Sequence, residues 1–323
     1  MTPREADRSR LRTVPMADRG SLVDASRLAH PPGDDRSFSA FLASLPDQLA
    51  ARDLRRVIAG VSAAATANRG VILLLGGHVI KVGLGPLINR LIERGVVTHV
   101  AMNGAAAIHD FELARFGRTS EDVAAGLADG TFGMVEETGR EMNRAIAAAA
   151  ATRAGLGEGL ATELGRAAEL PGGGLSVLRA AAQRNVPVTV HAAIGAEIIH
   201  QHPTADGAAI GATSLRDFDR LAGSMPTLDE GGAVLNWGSA VIMPEVFLKA
   251  LSVARNLGAG RPRDFLAADF DMIRHYRPTQ NVVRRPTLES GVGIQITGHH
   301  EIVVPLLVWG VLSELDRDGG PGR

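Results

Sequence analysis

The segment NGAAAIHDFE places two titratable side chains side by side. His109 would gain or lose a proton near neutral pH, which suits a general acid or base, and Asp110 could bind an amine or a hydroxyl group of a substrate. Successive residues on a helix point about 100° apart, so the two side chains are not expected to act as a pair on one helix face. A histidine that caps a helix or fills the core is the other interpretation.

Two further histidine pairs could take part in chemistry. In IIHQHP, His200 and His202 would share one side of an extended segment, a spacing that zinc ligands use. Glu197 lies nearby, but the sequence gives no third ligand, so we predict no metal and assign proton transfer to His200. In GHHEIVVPLL, His299 and His300 begin a predicted helix and are candidates for substrate binding, with a hydrogen-bonded turn as the alternative.

Glycines and carboxylates follow several predicted strands. In GGHVIKVGLGP, a strand-to-helix turn would let backbone N–H groups approach a phosphate, although the sequence is neither GxGxxG nor a Walker A motif. Lys81 could pair with that phosphate or form a Schiff base, and an exposed structural lysine is the alternative. Carboxylates at strand ends often bind a ribose diol. The candidates for cofactor binding are Gly76, Gly77, Asn103, Gly104, Gly238, Ser239, Asp269 and Asp271.

Strand and helix signals alternate along the chain. Short apolar runs predict strands at 71–75, 96–102, 186–191, 233–237, 265–268 and 293–297. Helical spacing predicts helices at 86–94, 105–116, 175–183, 215–222, 245–257 and 301–315, with two more between 134 and 170. TSED at 119–122 resembles a capping box that opens a short helix. The alternation predicts an α/β fold, a Rossmann-like, doubly wound and mostly parallel sheet with helices on both faces.

Length and composition narrow the classes of protein to consider. The 323 residues contain 34 cationic and 35 anionic side chains and no cysteine, which argues against nucleic-acid binding by bulk charge and excludes thiolate chemistry. No apolar run approaches the ~18 residues of a membrane span, so we expect a cytoplasmic protein. We predict a flexible arm at 1–35, one large domain at 36–318 with halves at 36–170 and 171–318, and a tail at 319–323.

The order of these segments resembles the deoxyhypusine synthase family and, more distantly, NAD-dependent ornithine cyclodeaminase domains. The resemblance covers about residues 68–145 and 185–312. VILLLGGHVIKVGLGPLINRLIERGVVTHVAMNGAAAIHDFE has the family's strand, small-residue turn, helix and second strand. VPVTVHAAIGAEIIHQHP is similar to a segment ending in a histidine on the NAD side, which corresponds to His200. GAVLNWGSAVIMPEVFLKAL and LAADFDM resemble its glycine-rich strand-turn-helix and its acidic strand end near the adenosine ribose.

The resemblance implies bound NAD, a small-molecule amine substrate, and a homo-oligomer, a dimer or tetramer, whose subunits share the sites. It also implies a reactive lysine in a GGGxxKHH motif, and Met243 stands at that position here. A thioether cannot form an imine. We therefore expect an NAD-dependent enzyme that transiently oxidises a small amine or alcohol without the lysine-imine step. His109 or His200 would be its acid or base, and Asp110 or Glu245 would orient the substrate.

Two other functions remain open from the sequence. The chain could be a non-catalytic ligand-binding or assembly protein that keeps the same scaffold. It could also be a metal-assisted hydrolase that uses His200 and His202. Within the enzyme hypothesis, Lys81 could supply a reactive amine from the other half of the molecule.

Overall fold

Six strands form the centre of the structure, a computed structural model that describes residues 3–167, 169–258 and 262–317. The strands are β1 (Val71–Leu75), β2 (His99–Asn103), β3 (Val188–His191), β4 (Ala233–Trp237), β5 (Leu266–Asp271) and β6 (Val292–Thr297). Their order is β3-β2-β1-β4-β5-β6, and every neighbouring pair is parallel. Helices pack on both faces, so the predicted Rossmann-like, doubly wound fold class is confirmed.

The helices of the described residues surround this sheet. They are α1 (Phe38–Ser44), α2 (Leu49–Thr66), α3 (Gly77–Lys81), α4 (Gly85–Glu93), α5 (Gly104–Phe116), α6 (Val123–Asp129), α7 (Glu136–Ala151), α8 (Leu156–Arg166), α9 (Val177–Gln183), α10 (Gly207–Ser224), α11 (Ile242–Leu257) and α12 (His300–Arg317). A π-helical turn covers Pro278–Arg284. α1 and α2 lie in a region for which no element was predicted.

Helix α10 begins eight residues before its predicted start at 215. Its first turns contain Gly207 and Gly211. Glycine destabilises a helix by about 1 kcal/mol relative to alanine, so the sequence of these turns does not indicate a helix. The side chain of Asp206 accepts hydrogen bonds from the backbone N–H groups of Ala208 and Ala209, which stabilises this end. The cap and the packing of α10 therefore outweigh the poor local propensity.

The apolar run of β1 is buried on both faces of the sheet, which explains why it lacks the alternation of a half-exposed strand. Val71, Leu73 and Leu75 belong to the larger hydrophobic cluster, together with residues of α2, α4, α5 and α12. Ile72 and Leu74 belong to the smaller cluster, together with residues of α10 and α11. The central strand thus anchors both layers of helices.

Two strands differ from their predicted limits. Val96 and Val97 are buried but precede β2, because the chain first turns out of α4. β5 continues to Asp271 instead of ending at 268, since it pairs with β6 as far as Thr297. Asp269 and Asp271 are therefore part of the paired strand β5, whereas the sequence predicted that they follow the strand.

Both predicted halves contribute to one sheet, the first giving β1 and β2 and the second giving β3 to β6. Residues 3–37 are exposed and contain short 3-10 turns. The predicted tail at 319–323 lies outside the described residues. Within the described part of the chain, every helix is too short or too polar to cross a membrane.

The direction in which successive strands are added to the sheet reverses after β3. The chain runs outward from β1 to β3, and the crossover through α10 then places β4 beside β1 on the other side. Helix α5, after β2, and helix α11, after β4, pack on opposite faces. The carboxyl ends of β1 and β4 therefore form the topological switch point, where sheets of this kind bind ligands.

Candidate functional site

A cavity of about 470 Å³ lies beyond the carboxyl ends of β1, β2 and β3. Its walls come from the end of α3, one side of α5, the segment 116–138 that contains α6, and the loop after β3. Apolar side chains in the wall include Phe116 and Phe132. The polar side chains that line it include Lys81, His109, Glu112, Thr119, Thr138 and Glu197.

His109 heads a chain of hydrogen bonds in this cavity. Its Nδ1 is 2.8 Å from Oγ1 of Thr119, and the Thr119 hydroxyl donates to Oε2 of Glu112 at 2.6 Å. The other oxygen of Glu112 accepts a hydrogen bond from the Thr138 hydroxyl at 2.8 Å. Burial lowers the pKa of His109, the nearby Lys81 ammonium lowers it further, and the Glu112 carboxylate opposes both effects. The ring is therefore neutral at neutral pH and able to accept a proton.

The glycine turn after β1 determines how closely α3 approaches α5. A β-carbon at Gly77 would lie 3.1 Å from Cβ of Ala105 and 3.2 Å from Cδ2 of His109. Lys81, at the last position of α3, has an exposed side chain. Because glycine allows the two helices to meet, the structure brings Lys81 and His109 to the same cavity.

Asp110 lies on another side of α5 and does not line the cavity. Its carboxylate accepts hydrogen bonds from the Ser176 hydroxyl at 2.7 Å and from the N–H groups of Val177 and Leu178 at 2.7 and 3.1 Å. Burial raises its pKa to about 6, and these three hydrogen bonds oppose the rise. The predicted role of Asp110 in substrate binding is therefore replaced by a role in holding the start of α9.

Glu197 and His200 form a buried pair next to the cavity. Oε2 of Glu197 is 2.9 Å from Nδ1 of His200, and Oε1 accepts a hydrogen bond from Ala193 N at 2.9 Å. Gly195 N also points at Nδ1 of His200, at 3.2 Å. Glu197 lines the cavity, whereas His200 stands behind it. Glu197 therefore lies between His200 and the cavity, although the sequence predicts His200 as an acid or base.

Asn103 and Gly104, predicted to bind a cofactor, lie at the start of α5. Oδ1 of Asn103 accepts a hydrogen bond from Ala106 N at 2.9 Å and caps the helix. A β-carbon at Gly104 would lie 2.4 Å from Oε1 of Glu197. The helix dipole favours a carboxylate at this position. Protein groups therefore fill the space that these two residues were expected to offer a cofactor.

His202 turns away from His200 and packs against α7. A β-carbon at Gly139 would lie 2.2 Å from Cδ2 of the His202 ring. Its Nε2 is buried without a hydrogen-bond partner among the described residues. Across residues 3–167, 169–258 and 262–317, no three histidine, aspartate or glutamate side chains are placed to hold a metal ion.

The turns after β1 and β4 touch at the switch point. A β-carbon at Gly76 would lie 2.0 Å from the carbonyl oxygen of Gly238 and 2.9 Å from Ser239 N. Gly238 itself has φ +65°, which favours glycine. Oγ of Ser239 accepts a hydrogen bond from Met243 N at 3.1 Å, at the start of α11. These small residues thus allow the two turns to pack directly on each other.

His300 covers this contact from the start of α12. Its ring lies 3.0 Å from the position of a β-carbon at Gly238 and 5.4 Å, between centroids, from the ring of His78. Nε2 of His300 is 3.1 Å from the carbonyl oxygen of Phe270, so Nε2 carries the proton and Nδ1 is an acceptor. His299, in contrast, points outward with 70% of its side chain exposed.

The acidic end of β5 lies next to the switch point. Asp269 is buried, which raises its pKa to about 6, and it accepts hydrogen bonds from Asn236 at 2.8 Å and Gln295 at 3.3 Å. Oδ2 of Asp271 is 3.9 Å from Nε2 of His275. Asp269 is thus committed to the sheet interior, whereas Asp271 is buried with Oδ1 accepting a hydrogen bond from Met272 N at 2.7 Å and Oδ2 facing His275.

Two residues of the GSAVIMPE segment are separate from the cavity. Met243, in the first turn of α11, is fully buried in the smaller hydrophobic cluster, so its side chain does not face a cleft. Glu245 lies on the outer side of α11 and interacts with Lys249, with Arg277 at 3.2 Å and with Asn281 at 3.0 Å. The catalytic role predicted for Glu245 is therefore not matched by its position.

Several buried polar atoms at the carboxyl edge have no hydrogen-bond partner among the described residues. They include Oδ1 of Asn236 and Nδ1 of His300. A buried polar atom without a partner costs about 1–3 kcal/mol, so such atoms mark places where a polar ligand or water would bind favourably. They lie in β4 and at the start of α12, next to the switch point.

The sequence predicted no role in the cavity for four of the residues that line it. Glu112 could have been found, because it follows His109 by three residues and lies on the same side of α5. Thr119 was expected to cap the next helix, but Asp122 takes that role through Ala124 N and Ala125 N. Thr138 and Glu197 reach the cavity only through the tertiary fold.

Fold and site together define a Rossmann-like α/β protein with a histidine-containing cavity beside its switch point. No protein-family model matches the chain, and neither does any curated protein sequence. A Methanococcus maripaludis S2 protein described as LOR/SDH is 16% identical, with a TM-score of 0.51 over 83% of this chain and 71% of that one. Unliganded AgrE is 15% identical, with a TM-score of 0.50 over 81% of this chain and 32% of its own.

An Entamoeba histolytica protein described as a deoxyhypusine synthase is 13% identical, with a TM-score of 0.49 over 86% of this chain and 93% of that one. The chain spans about a third of AgrE. At these identities, the likeness to the LOR/SDH protein and to AgrE shows a shared fold. The Rossmann-like, mostly parallel arrangement of strands expected from the sequence agrees with that fold.

Proposed function

We propose that this protein is an NAD-dependent enzyme that oxidises a small amine or alcohol, with His109 as its general base. The observation that carries the proposal is the position of His109. Its ring lines a cavity of about 470 Å³ and lies against the Gly77 turn, beside the switch point of a sheet with the order β3-β2-β1-β4-β5-β6. Dinucleotides bind at this point of such sheets.

The residues at the switch point fit a dinucleotide in two respects. Nδ1 of His300 is a buried acceptor without a partner among the described residues, which suits a ribose hydroxyl. Asp271 offers a second acceptor at the end of β5. These two side chains, with the half-buried His78, would hold the cofactor. When bound there, NAD supplies the acceptor for the hydride that leaves the substrate carbon.

The chain's own residues account for the proton. His109 accepts the proton of the substrate hydroxyl or amine group, and the Glu112 carboxylate, two hydrogen bonds away, stabilises the positive ring that results. Lys81 provides a cation at the mouth of the cavity for an anionic group of the substrate. The apolar wall with Phe116 and Phe132 limits water around the ring.

AgrE, which shares the fold, has also been solved as a ternary complex with ornithine and NAD+. The proposal extends only the nucleotide to this chain. Cytoplasmic location and assembly into a homo-oligomer remain part of the same proposal, as expected from the sequence.

Titration with NADH, followed by its fluorescence, tests the nucleotide site. Asp271→Asn is expected to weaken binding about tenfold, the effect of one hydrogen bond to a charged group. Asp219→Asn, which removes the same charge from an exposed position on α10, is the matched control and should bind as the wild type does. Absence of NADH binding, or equal binding by all three proteins, would contradict the proposal.

A panel of small amines and alcohols, scored by NADH formation, tests the catalytic assignment. His109→Ala should still bind NADH but lose about 10²–10⁴-fold in turnover, the usual contribution of a general base. Unchanged turnover in this variant would reject His109 as the base while leaving the nucleotide site intact.

A further inference from the structure

We infer that Thr119 and Glu112 are positioning residues that hold His109 in a single tautomer, with the proton on Nδ1 and the lone pair of Nε2 free. The catalytic consequence rests on the proposed function. The tautomer itself does not, because it is a property of the free protein.

The donor and acceptor count at Thr119 determines the tautomer. A threonine hydroxyl has one proton to donate, and here it is donated to Oε2 of Glu112 at 2.6 Å. Oγ1 can then only accept from its other neighbour, Nδ1 of His109, at 2.8 Å. Nδ1 must therefore carry the proton, which leaves Nε2 of the neutral ring without one.

Glu112 fixes the direction of these hydrogen bonds. Its second oxygen accepts the Thr138 hydroxyl proton at 2.8 Å, so both carboxylate oxygens receive a hydroxyl proton. An ionised carboxylate is an acceptor only, which matches the two hydroxyl donors around it. Because Glu112 is also 91% buried, its charge acts on His109 with little screening by water.

The series of hydrogen bonds from His109 to Thr138 joins three separate elements. His109 and Glu112 belong to α5, Thr138 belongs to α7, and Thr119 lies in the connection between α5 and α6. The helix α6 that follows has no buried residue, and Thr119 bonds the connection to two residues of α5. The tautomer of His109 thus depends on the position of a surface segment that also forms a wall of the cavity.

This arrangement suits a general base. A lone pair on Nε2 can accept a substrate proton, while Nδ1–H keeps its hydrogen bond to Thr119 as the ring becomes positive. The Thr119 hydroxyl then connects the Glu112 carboxylate to the positively charged His109 ring. Loss of either positioning residue should reduce the turnover number more than it changes the Michaelis constant, since both residues act on the base that takes the proton.

Two-bond ¹⁵N–¹H correlation spectra of ¹⁵N-labelled protein, without nucleotide or substrate, report the tautomer directly. They are recorded at a pH where the ring is neutral, and His109→Gln assigns the signals. The wild type should show Nδ1–H. Thr119→Val should shift the tautomer ratio about tenfold toward Nε2–H, and Thr119→Ser should restore it. Ser120→Ala, in the same exposed segment, should leave the ratio unchanged.

Glu112→Gln supplies an independent readout if Thr119→Val unfolds. The charged groups that act on the ring are Lys81 from α3 and Glu112 from α5. Removal of the carboxylate should therefore lower the pKa of His109, whereas Lys81→Met should raise it. A wild-type ring protonated on Nε2, or a tautomer ratio insensitive to Thr119→Val, would overturn the inference. Failure of NADH to bind would reject the proposed function and leave this result standing.

Discussion

His109 and Asp110 are adjacent, and both side chains titrate, yet their surroundings are unrelated. His109 faces a cavity and has one ring nitrogen in a hydrogen bond with Thr119. Asp110, about 100° further around α5, meets the start of α9 and is fully buried. The geometry of the helix separates the two, as the sequence predicts, but only the neighbouring elements decide which residue meets the cavity.

Asp110→Ala should destabilise the protein without altering NADH binding. The change removes the acceptor for Val177 N, Leu178 N and the Ser176 hydroxyl, all at the start of α9. Loss of a helix cap and of buried hydrogen bonds costs about 1–3 kcal/mol in free energy of unfolding. Urea denaturation measures this value, and Asp110→Asn, which keeps one acceptor, should lose less. A fully stable variant with impaired NADH binding would return Asp110 to the ligand site.

At the scale of secondary structure, glycines have different roles in different helices. Gly157, near the start of α8, packs against β3, and a β-carbon there would lie 2.3 Å from the carbonyl oxygen of Val188. Gly211, within α10, has open space on the corresponding side. The first glycine is required by the contact between a helix and a strand, whereas the second only lowers helix propensity.

Gly211→Ala and Gly157→Ala should therefore change stability in opposite directions. The first should raise the free energy of unfolding by about 0.5–1 kcal/mol, because alanine restricts the unfolded chain and fits the helix. The second should lower it by about 1–3 kcal/mol, because backbone atoms of β3 would have to move. Thermal and urea unfolding of both variants measure the effects. The packing of α8 on β3 would be wrong if both variants gained stability.

At the scale of the whole molecule, the sheet order determines where a site can form. The reversal between β1 and β4 places the Gly76 and Gly238 turns against each other and the His109 cavity beside them. The exposed segment at residues 3–37 takes no part in this arrangement. It carries apolar side chains in water, such as Leu22, which is 92% exposed.

Removal of residues 1–23 should leave the free energy of unfolding within about 0.5 kcal/mol of the full chain, as expected for exposed positions. The hydrogen bonds of this segment, such as that from Leu11 N to Arg8 O, are local. Urea denaturation at several protein concentrations measures the change. A larger loss, together with a change in oligomeric state by light scattering, would show that the segment packs against another copy of the chain.

The sequence by itself determined the fold class and the edge of the sheet at which a ligand is expected. Apolar runs such as β1 record burial on both faces, and their alternation with helices leaves few topologies open. The sequence marks His109 and Lys81 as candidates because of their residue types near strand-to-helix turns, and both line the cavity. Only the tertiary structure decided that Thr119 and Glu112 hold His109, that Glu197 lies over Gly104 and that Met243 is buried. Periodicity reports which face of an element is covered, whereas a hydrogen bond requires two atoms within about 3 Å, and spacing along the chain does not contain that distance.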